Sequence, residues 1–283
     1  MSKEEHSIRV VPLAGGFGAQ VDFDVHYQPN HQETQEIASA FHTHQVLIFH
    51  NADLNMEQLA KFVSAFGSFD NATGRLASET GQYTGIRVVE NIEGGKFGPT
   101  SNSELNWHAD RFYDPVVAGL LNSVVVPEEG GDTSFCDMYR ALTEMPTALR
   151  QAIQGRRIKQ DVYYDAEGRP GMRPGGEKVS DPSVTSGIET EIIQRHPRTG
   201  RQFLYLGNRL NAFVTGLSIE ESEALLDALY SHIDQPKLHY RHHWQPNELI
   251  LYDNRCCMHR RESFDVDAKR KLYASVVDRS NIL

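Results

Sequence analysis

From about residue 105 onward the chain breaks into short apolar runs separated by Gly, Pro and Asn, and this cadence restricts its fold more than any other feature. VAGLLNSVVVP at 117–127 is strand-like, and Pro127 with the pair Gly130-Gly131 then punctuates it. TEIIQRHP and RQFLYLGN flank a turn at Arg198-Thr199-Gly200 and read as a hairpin, and 237–244, 248–253 and 271–277 read as further strands. Upstream, 5–12 and 18–24 alternate apolar and polar residues, while VLIFHN at 46–51 is a buried strand by composition. Helices are expected at 31–44, at 55–66 with Gly67 as a C-terminal glycine, at 138–155, and from Ser218, whose Ser-x-x-Glu start is a capping box. Strands outnumber helices. The expected fold is therefore mainly β with flanking helices, a β-sandwich or jelly-roll of the cupin-like kind.

A core of that type accommodates all 283 residues as a single domain, 1–283, without internal repeats. One segment stands out: about 160–187, where Gly, Pro and charged residues cluster, is long for a structureless connection and is expected to be a lid. Lys and Arg number 28 against 38 Asp and Glu, a net charge of −10, which argues against nucleic acid or an anionic membrane as partner. A small-molecule substrate fits better, and the sequence leaves room for a homo-oligomer. The start, MSKEEHSIRVVPL, has no apolar signal-like run, and no stretch reaches the roughly 20 apolar residues of a membrane span. Cys136, Cys256 and Cys257 form no disulfide framework, which suits the reducing cytoplasm.

The chemistry-bearing text begins at Asn106-Trp107-His108-Ala109-Asp110. On a strand, side chains two apart share a face, so His108 and Asp110 present an imidazole and a carboxylate side by side. A lone His-x-Asp is more often a hydrogen-bonded surface pair than a metal site. His259, 151 positions further on and just after an apolar strand, supplies a third ligand from a distant part of the barrel. Two imidazoles and one carboxylate leave cis positions open on an octahedral metal, which suits non-haem Fe(II) with a bidentate oxoacid and O₂. Manganese or cobalt would fit the same ligands. A helical His-Glu-x-x-His zinc motif is absent.

Arg270, where the chain should re-enter the barrel, can offer a planar fork to a carboxylate, although a solvated strand-end Arg between Lys269 and Lys271 is the blander reading. Gly130-Gly131-Asp132-Thr133 permits a tight turn and brings the Thr133 hydroxyl into consideration for the same carboxylate. A metal-dependent hydrolase or isomerase on a cupin-like barrel, or a non-catalytic binding barrel, competes with the oxygenase reading. In either rival Arg270 and Thr133 would be incidental.

NWHAD at 106–110, GGDTSFCDM at 130–138, RHPRTGRQFLYLGN at 195–208, SIEESEALLDALYSHI at 218–233 and YDNRCCMHR at 252–260 together resemble the TauD/TfdA family, the taurine and 2,4-dichlorophenoxyacetate dioxygenases. FGAQVDFDV at 17–25 and HTHQVLIFHN at 42–51 match as well, so the resemblance runs along nearly the whole chain. It implies a double-stranded β-helix, Fe(II) held by His108, Asp110 and His259, and 2-oxoglutarate held by Arg270 and Thr133. It also implies use of O₂, release of succinate and CO₂, and oxidation of a substrate C–H bond by hydroxylation or desaturation. Family members acting on taurine or aryloxyacetates carry a second Arg four residues after the oxoglutarate Arg, where this chain has Ala274. A carboxylate substrate would then need another partner, with Arg209, Arg260, Lys271 or the basic residues of 160–187 as candidates. Phe112, Tyr163 and Tyr164 are candidates for lining an aromatic pocket. One branch of the family tailors isonitrile-bearing amino-acid derivatives in secondary metabolism, and the missing Arg is compatible with it.

Overall fold

Alternation along the strands divides the apolar residues between separate cores, and that division sets the architecture. The computed structural model describes residues 8–69, 85–92, 102–112, 116–161, 181–185 and 187–283. Its first part contains β1 (Arg9–Pro12), β2 (Ala19–Asp22), α1 (His31–His44), β3 (Val46–Phe49), α2 (Met56–Ser64), β4 (Ser68–Phe69) and β5 (Arg87–Glu90). The middle holds β6 (Leu105–His108), β7 (Ala118–Val125), β8 (Thr133–Asp137), α3 (Met138–Thr143), α4 (Thr147–Ile153) and β9 (Arg157–Lys159). Then come β10 (Glu189–Glu191), β11 (Ile193–Arg195), β12 (Gln202–Leu204), β13 (Phe213–Val214) and α5 (Ile219–Ile233). The chain closes with β14 (His239–His242), β15 (Leu249–Asp253), β16 (Cys257–Arg261) and β17 (Lys271–Arg279).

The major sheet runs β1-β2-β3-β15-β7-β17-β4, with β5 also paired to β17, and the minor sheet runs β14-β8-β16-β6. Apart from the parallel β2–β3 pair, every pairing within these two sheets is antiparallel. On β3 and β15, Leu47, Phe49, Leu249 and Leu251 join an outer core with Ile37, Phe41, Leu59 and Phe62 of α1 and α2. Their alternates Val46, Ile48, Ile250 and Tyr252 turn inward to meet Phe135 and Cys257 of the minor sheet. The minor sheet repeats the pattern: Trp107, Cys136 and Met258 face a third core shared with Leu142 of α3 and Leu226 and Leu229 of α5. His108, Phe135 and His259, offset by one from those residues, therefore face the space between the two sheets. This is the jelly-roll arrangement with helices outside that the sequence implied.

Several local expectations hold and several are corrected. Ser218 caps α5 in a full capping box with Glu221. Cys256, in the turn before β16, and Cys257, at the start of β16, serve different cores. The helix expected at 138–155 is two helices, because Pro146 has no N–H to continue the first and instead precedes the second. Gly67 does not cap α2, which ends at Ser64; a Cβ there would lie 2.2 Å from the carbonyl oxygen of Arg279, so close packing against β17 requires the glycine. The expected lid at 160–187 falls mostly outside the described residues, as do Tyr163 and Tyr164. No described helix is long and apolar enough to cross a membrane.

Candidate active site

His108 ends β6 and is the cross-strand partner of His259 on β16, so the two imidazoles are neighbours in one sheet, their ring centroids 4.2 Å apart. Both are buried, at 6% and 7% exposure. Asp110 completes the group: one ligand atom from each of His108, Asp110 and His259 lies within 4.8 Å of the others. The strand expected to carry both His108 and Asp110 stops at His108. Beyond it, Asn254 clamps the chain, its Oδ1 accepting from the Asp110 N–H at 2.7 Å and its Nδ2 donating to the Asp110 carbonyl at 2.9 Å, and Arg111 takes a left-handed φ of 47°. Asp110 is thus aimed by a side chain of the turn between β15 and β16 and not by strand pleat.

The hydrogen bonds leave ligand capacity open. His108 Nδ1 donates to the Asn106 carbonyl at 2.8 Å, which leaves its Nε2 as the free lone pair. His259 Nδ1 is buried with no hydrogen-bond partner among the described residues. The Tyr252 hydroxyl donates to Asp110 Oδ2 and leaves Oδ1 for a further ligand. Gly119 makes that contact feasible, since a Cβ there would sit 2.1 Å from the Tyr252 ring.

Burial, followed by repulsion from His108, pulls His259 down to about 3, so it stands as a neutral ligand-type imidazole. For Asp110 burial works against ionisation, but His259, His108, Arg87 and the Tyr252 hydroxyl outweigh it and hold the carboxyl below its usual range. Two imidazole nitrogens and one carboxylate oxygen brought within 4.8 Å of one another suit a divalent cation of borderline character. The residues present fit the group that the resemblance implies.

Arg270 immediately precedes β17 and is 4% exposed, which rules out the solvated strand-end reading. Its side chain lies against Gly131, whose added Cβ would meet Nε at 3.2 Å, and that Nε has no hydrogen-bond partner among the described residues. Burial first, then repulsion from Arg261, pulls its pKa down to about 9, a sign of a buried cation short of negative charge. Gly130 and Gly131 both take positive φ, 76° and 69°, in the tight turn that starts β8. Thr133 shares its face with Phe135 and is buried, and its hydroxyl accepts from Trp244 Nε1 at 2.9 Å, leaving its own hydrogen to donate.

Of the alternatives for a second cation, the basic residues of 160–187 lie outside the described residues and the others are engaged elsewhere. Arg209 pairs with Glu223 at 2.7 Å and Asp227 at 2.6 Å, and Arg260 bonds Asp234 at 2.8 Å while lying over Trp107. Lys271 sits with Nζ 5.6 Å from the Tyr273 ring. Phe112 is buried at 3%. Sequence reading missed Tyr252, Asn254 and Arg87; the first two lie in the YDNR text already quoted, whereas nothing in the sequence marks Arg87.

A jelly-roll with two imidazoles and a carboxylate between its sheets, and a buried arginine against the turn that starts β8, is the frame of the non-haem Fe(II)/2-oxoglutarate oxygenases. Comparison with known proteins agrees. Residues 9–275 match the model of the taurine catabolism dioxygenase TauD, TfdA family, and the chain belongs to that family. It is 28% identical over 279 residues to the alpha-ketoglutarate-dependent 2,4-dichlorophenoxyacetate dioxygenase of Cupriavidus pinatubonensis, covering 94% of this chain and 96% of that enzyme. Pentalenolactone F synthase of Streptomyces arenae is 27% identical, with 95% of each chain covered. The crystal structure of AAD-2 in complex with Mn(II) and N-oxalylglycine superposes with a TM-score of 0.78 at 26% identity, covering 97% of this chain and 98% of that one. The protein is accordingly an enzyme of the dioxygenase class, in a family that uses Fe(II), 2-oxoglutarate and O₂.

Proposed function

We propose that His108, Asp110 and His259 hold Fe(II), that Arg270 and Thr133 hold the distal carboxylate of 2-oxoglutarate, and that the enzyme oxidises a C–H bond of a small organic acid or amino-acid-derived metabolite. The observation that carries this reading is the buried Arg270, whose Nε has no partner among the described residues and which lies against Gly131 in the turn leading into Thr133 on β8, the strand that pairs with β16 and its His259. Fe(II) with 2-oxoglutarate and O₂ supplies the oxidising chemistry, in which succinate and CO₂ are released. The chain supplies position and environment. The Arg270 fork and the Thr133 hydroxyl orient the oxoacid, and a guanidinium already desolvated binds a carboxylate without losing further hydration. The Asn106 carbonyl fixes the His108 tautomer, Tyr252 fixes the carboxylate of Asp110, and Phe135 and Leu272 of the inner core exclude water.

Kinship with both a phenoxyacetate dioxygenase and pentalenolactone F synthase supports a small organic substrate, and isonitrile-bearing amino-acid derivatives belong in the screen. The three cysteines are free and buried, which supports a reducing, cytoplasmic setting. Anaerobic addition of Fe(II) and 2-oxoglutarate should produce the weak visible charge-transfer band of a chelated oxoacid, and Arg270→Ala should weaken it. Absence of the band from folded, iron-loaded protein would overturn the proposal.

A further inference from the structure

Ala274 leaves a vacancy on the inner face of β17, and the neighbouring strand fills it with charge. Leu272 of β17 belongs to the inner core, whereas Tyr273 and Val277 belong to the outer one, so Ala274, two residues beyond Leu272, faces inward. β5 pairs antiparallel with β17, and the residue directly opposite Ala274 is Arg87. Val88 sits in the outer core, which turns its neighbour Arg87 to the inner side, beside Ala274, where cross-strand Cβ atoms stand roughly 5 Å apart. A methyl group opposite leaves a long side chain free to reach along the sheet. Arg87 is exposed, unlike Arg270. Among the described residues no hydrogen bond or ion pair engages its guanidinium.

We propose that Arg87 is the residue that receives the anionic group of the substrate, a carboxylate or sulfonate, at the mouth of the site. This deepens the function proposed above and rests on it. The two arginines then divide the work: Arg270, buried, takes the oxoacid, and Arg87, open to solvent, takes the exchangeable substrate. The oxidised carbon lies between the anion and the ligand triad, so substrates should share an acidic head and vary in the tail.

The test uses the full chain loaded with Mn(II) and N-oxalylglycine, which holds the site without turnover. Calorimetry compares phenoxyacetate with phenoxyacetamide and hexanoate with hexanamide, and adds hexanesulfonate. Wild type should bind at least one anion about tenfold or more tightly than its neutral counterpart, the discrimination expected of one charge-assisted contact. Arg87→Ala should erase that preference, Arg87→Lys should keep part of it, and Ala274→Arg added to Arg87→Ala should restore it from the neighbouring strand. N-oxalylglycine affinity should be unchanged by Arg87→Ala and lost in Arg270→Ala. A preference that survives Arg87→Ala, or wild type that ignores charge, would overturn the assignment while leaving the oxoacid site intact. Failure of N-oxalylglycine to bind wild type would instead overturn the oxygenase site on which the assignment rests.

Discussion

Two clusters in this molecule have nearly the same composition and opposite character. His108, Asp110 and His259 form one; His196, Asp253 and Cys256 form the other, and in each a ligand atom from every residue lies within 4.8 Å of the rest. The second is saturated. Asp253 Oδ2 accepts from His196 Nε2 at 2.9 Å and from Arg255 at 2.7 Å, and Oδ1 accepts from the Arg255 Nε at 2.8 Å. His196 Nδ1 accepts from the backbone N–H groups of Arg198 and Thr199, and burial pushes the Cys256 thiol up, away from thiolate. Both ring nitrogens of His196 and both carboxylate oxygens of Asp253 are thus already engaged, so the cluster ties the 195–202 hairpin to the end of β15. In the first cluster, among the described residues, no arginine forms a fork with the carboxylate, and each imidazole keeps a nitrogen without a partner. What separates a ligand site from a structural knot is thus the count of open valences and not the residue types.

The contrast predicts opposite responses to matched substitutions. His259→Ala removes a ligand and should lower Fe(II) affinity by more than the roughly 10- to 100-fold typical of losing a supporting hydrogen bond, while thermal stability stays near wild type. Metal content after gel filtration and a melting curve check both halves. Asp253→Ala should do the reverse. Removing the carboxylate strands a largely buried Arg255 and should cost about 3–5 kcal/mol, with Fe(II) affinity retained in the protein that remains folded. Loss of metal without loss of stability in Asp253→Ala would erase the distinction between the clusters.

A smaller change sharpens the comparison from within the first cluster. Tyr252→Phe deletes the only hydroxyl that donates to Asp110 among the described residues and leaves the ring in the inner core. Fe(II) affinity should fall by about 10- to 100-fold with little change in melting temperature. Equal affinity in the variant would mean that Asn254, through the backbone of Asp110, is sufficient to aim the carboxylate.

Much of this was legible in the sequence, and the omissions have a common cause. Alternation and turn residues specify strands, and the ordered motifs specify which of them carry His108, Asp110, Thr133, His259 and Arg270. Pairing register is the missing quantity. Nothing in a linear chain says that Arg87 stands opposite Ala274, or that Tyr252 reaches Asp110 across 142 positions. His108 and His259 are likewise neighbours in one sheet, although 151 positions separate them in the chain. His196, before a proline in the hairpin, carries no sequence signal of its burial or of its bonds to Asp253 and to the backbone of Arg198 and Thr199.

The last difference between the clusters lies in their acid response. Burial acts to raise Asp253, but His196 and Arg255 outweigh it and bring its pKa from 3.8 to about 2. Because the folded value is the lower one, the unfolded chain takes up the proton first as pH falls. The pair's contribution is complete above about pH 4 and is lost as pH drops through about 2. The shift corresponds to about 2 kcal/mol. Asp253→Asn has no proton to take up, so its stability, lower at neutral pH, should decline less steeply than wild type between about pH 4 and pH 2. Urea melts at several pH values would measure the two slopes. Parallel slopes would mean that the His196–Asp253–Arg255 knot persists in the acid-unfolded chain, or that another carboxylate governs the transition.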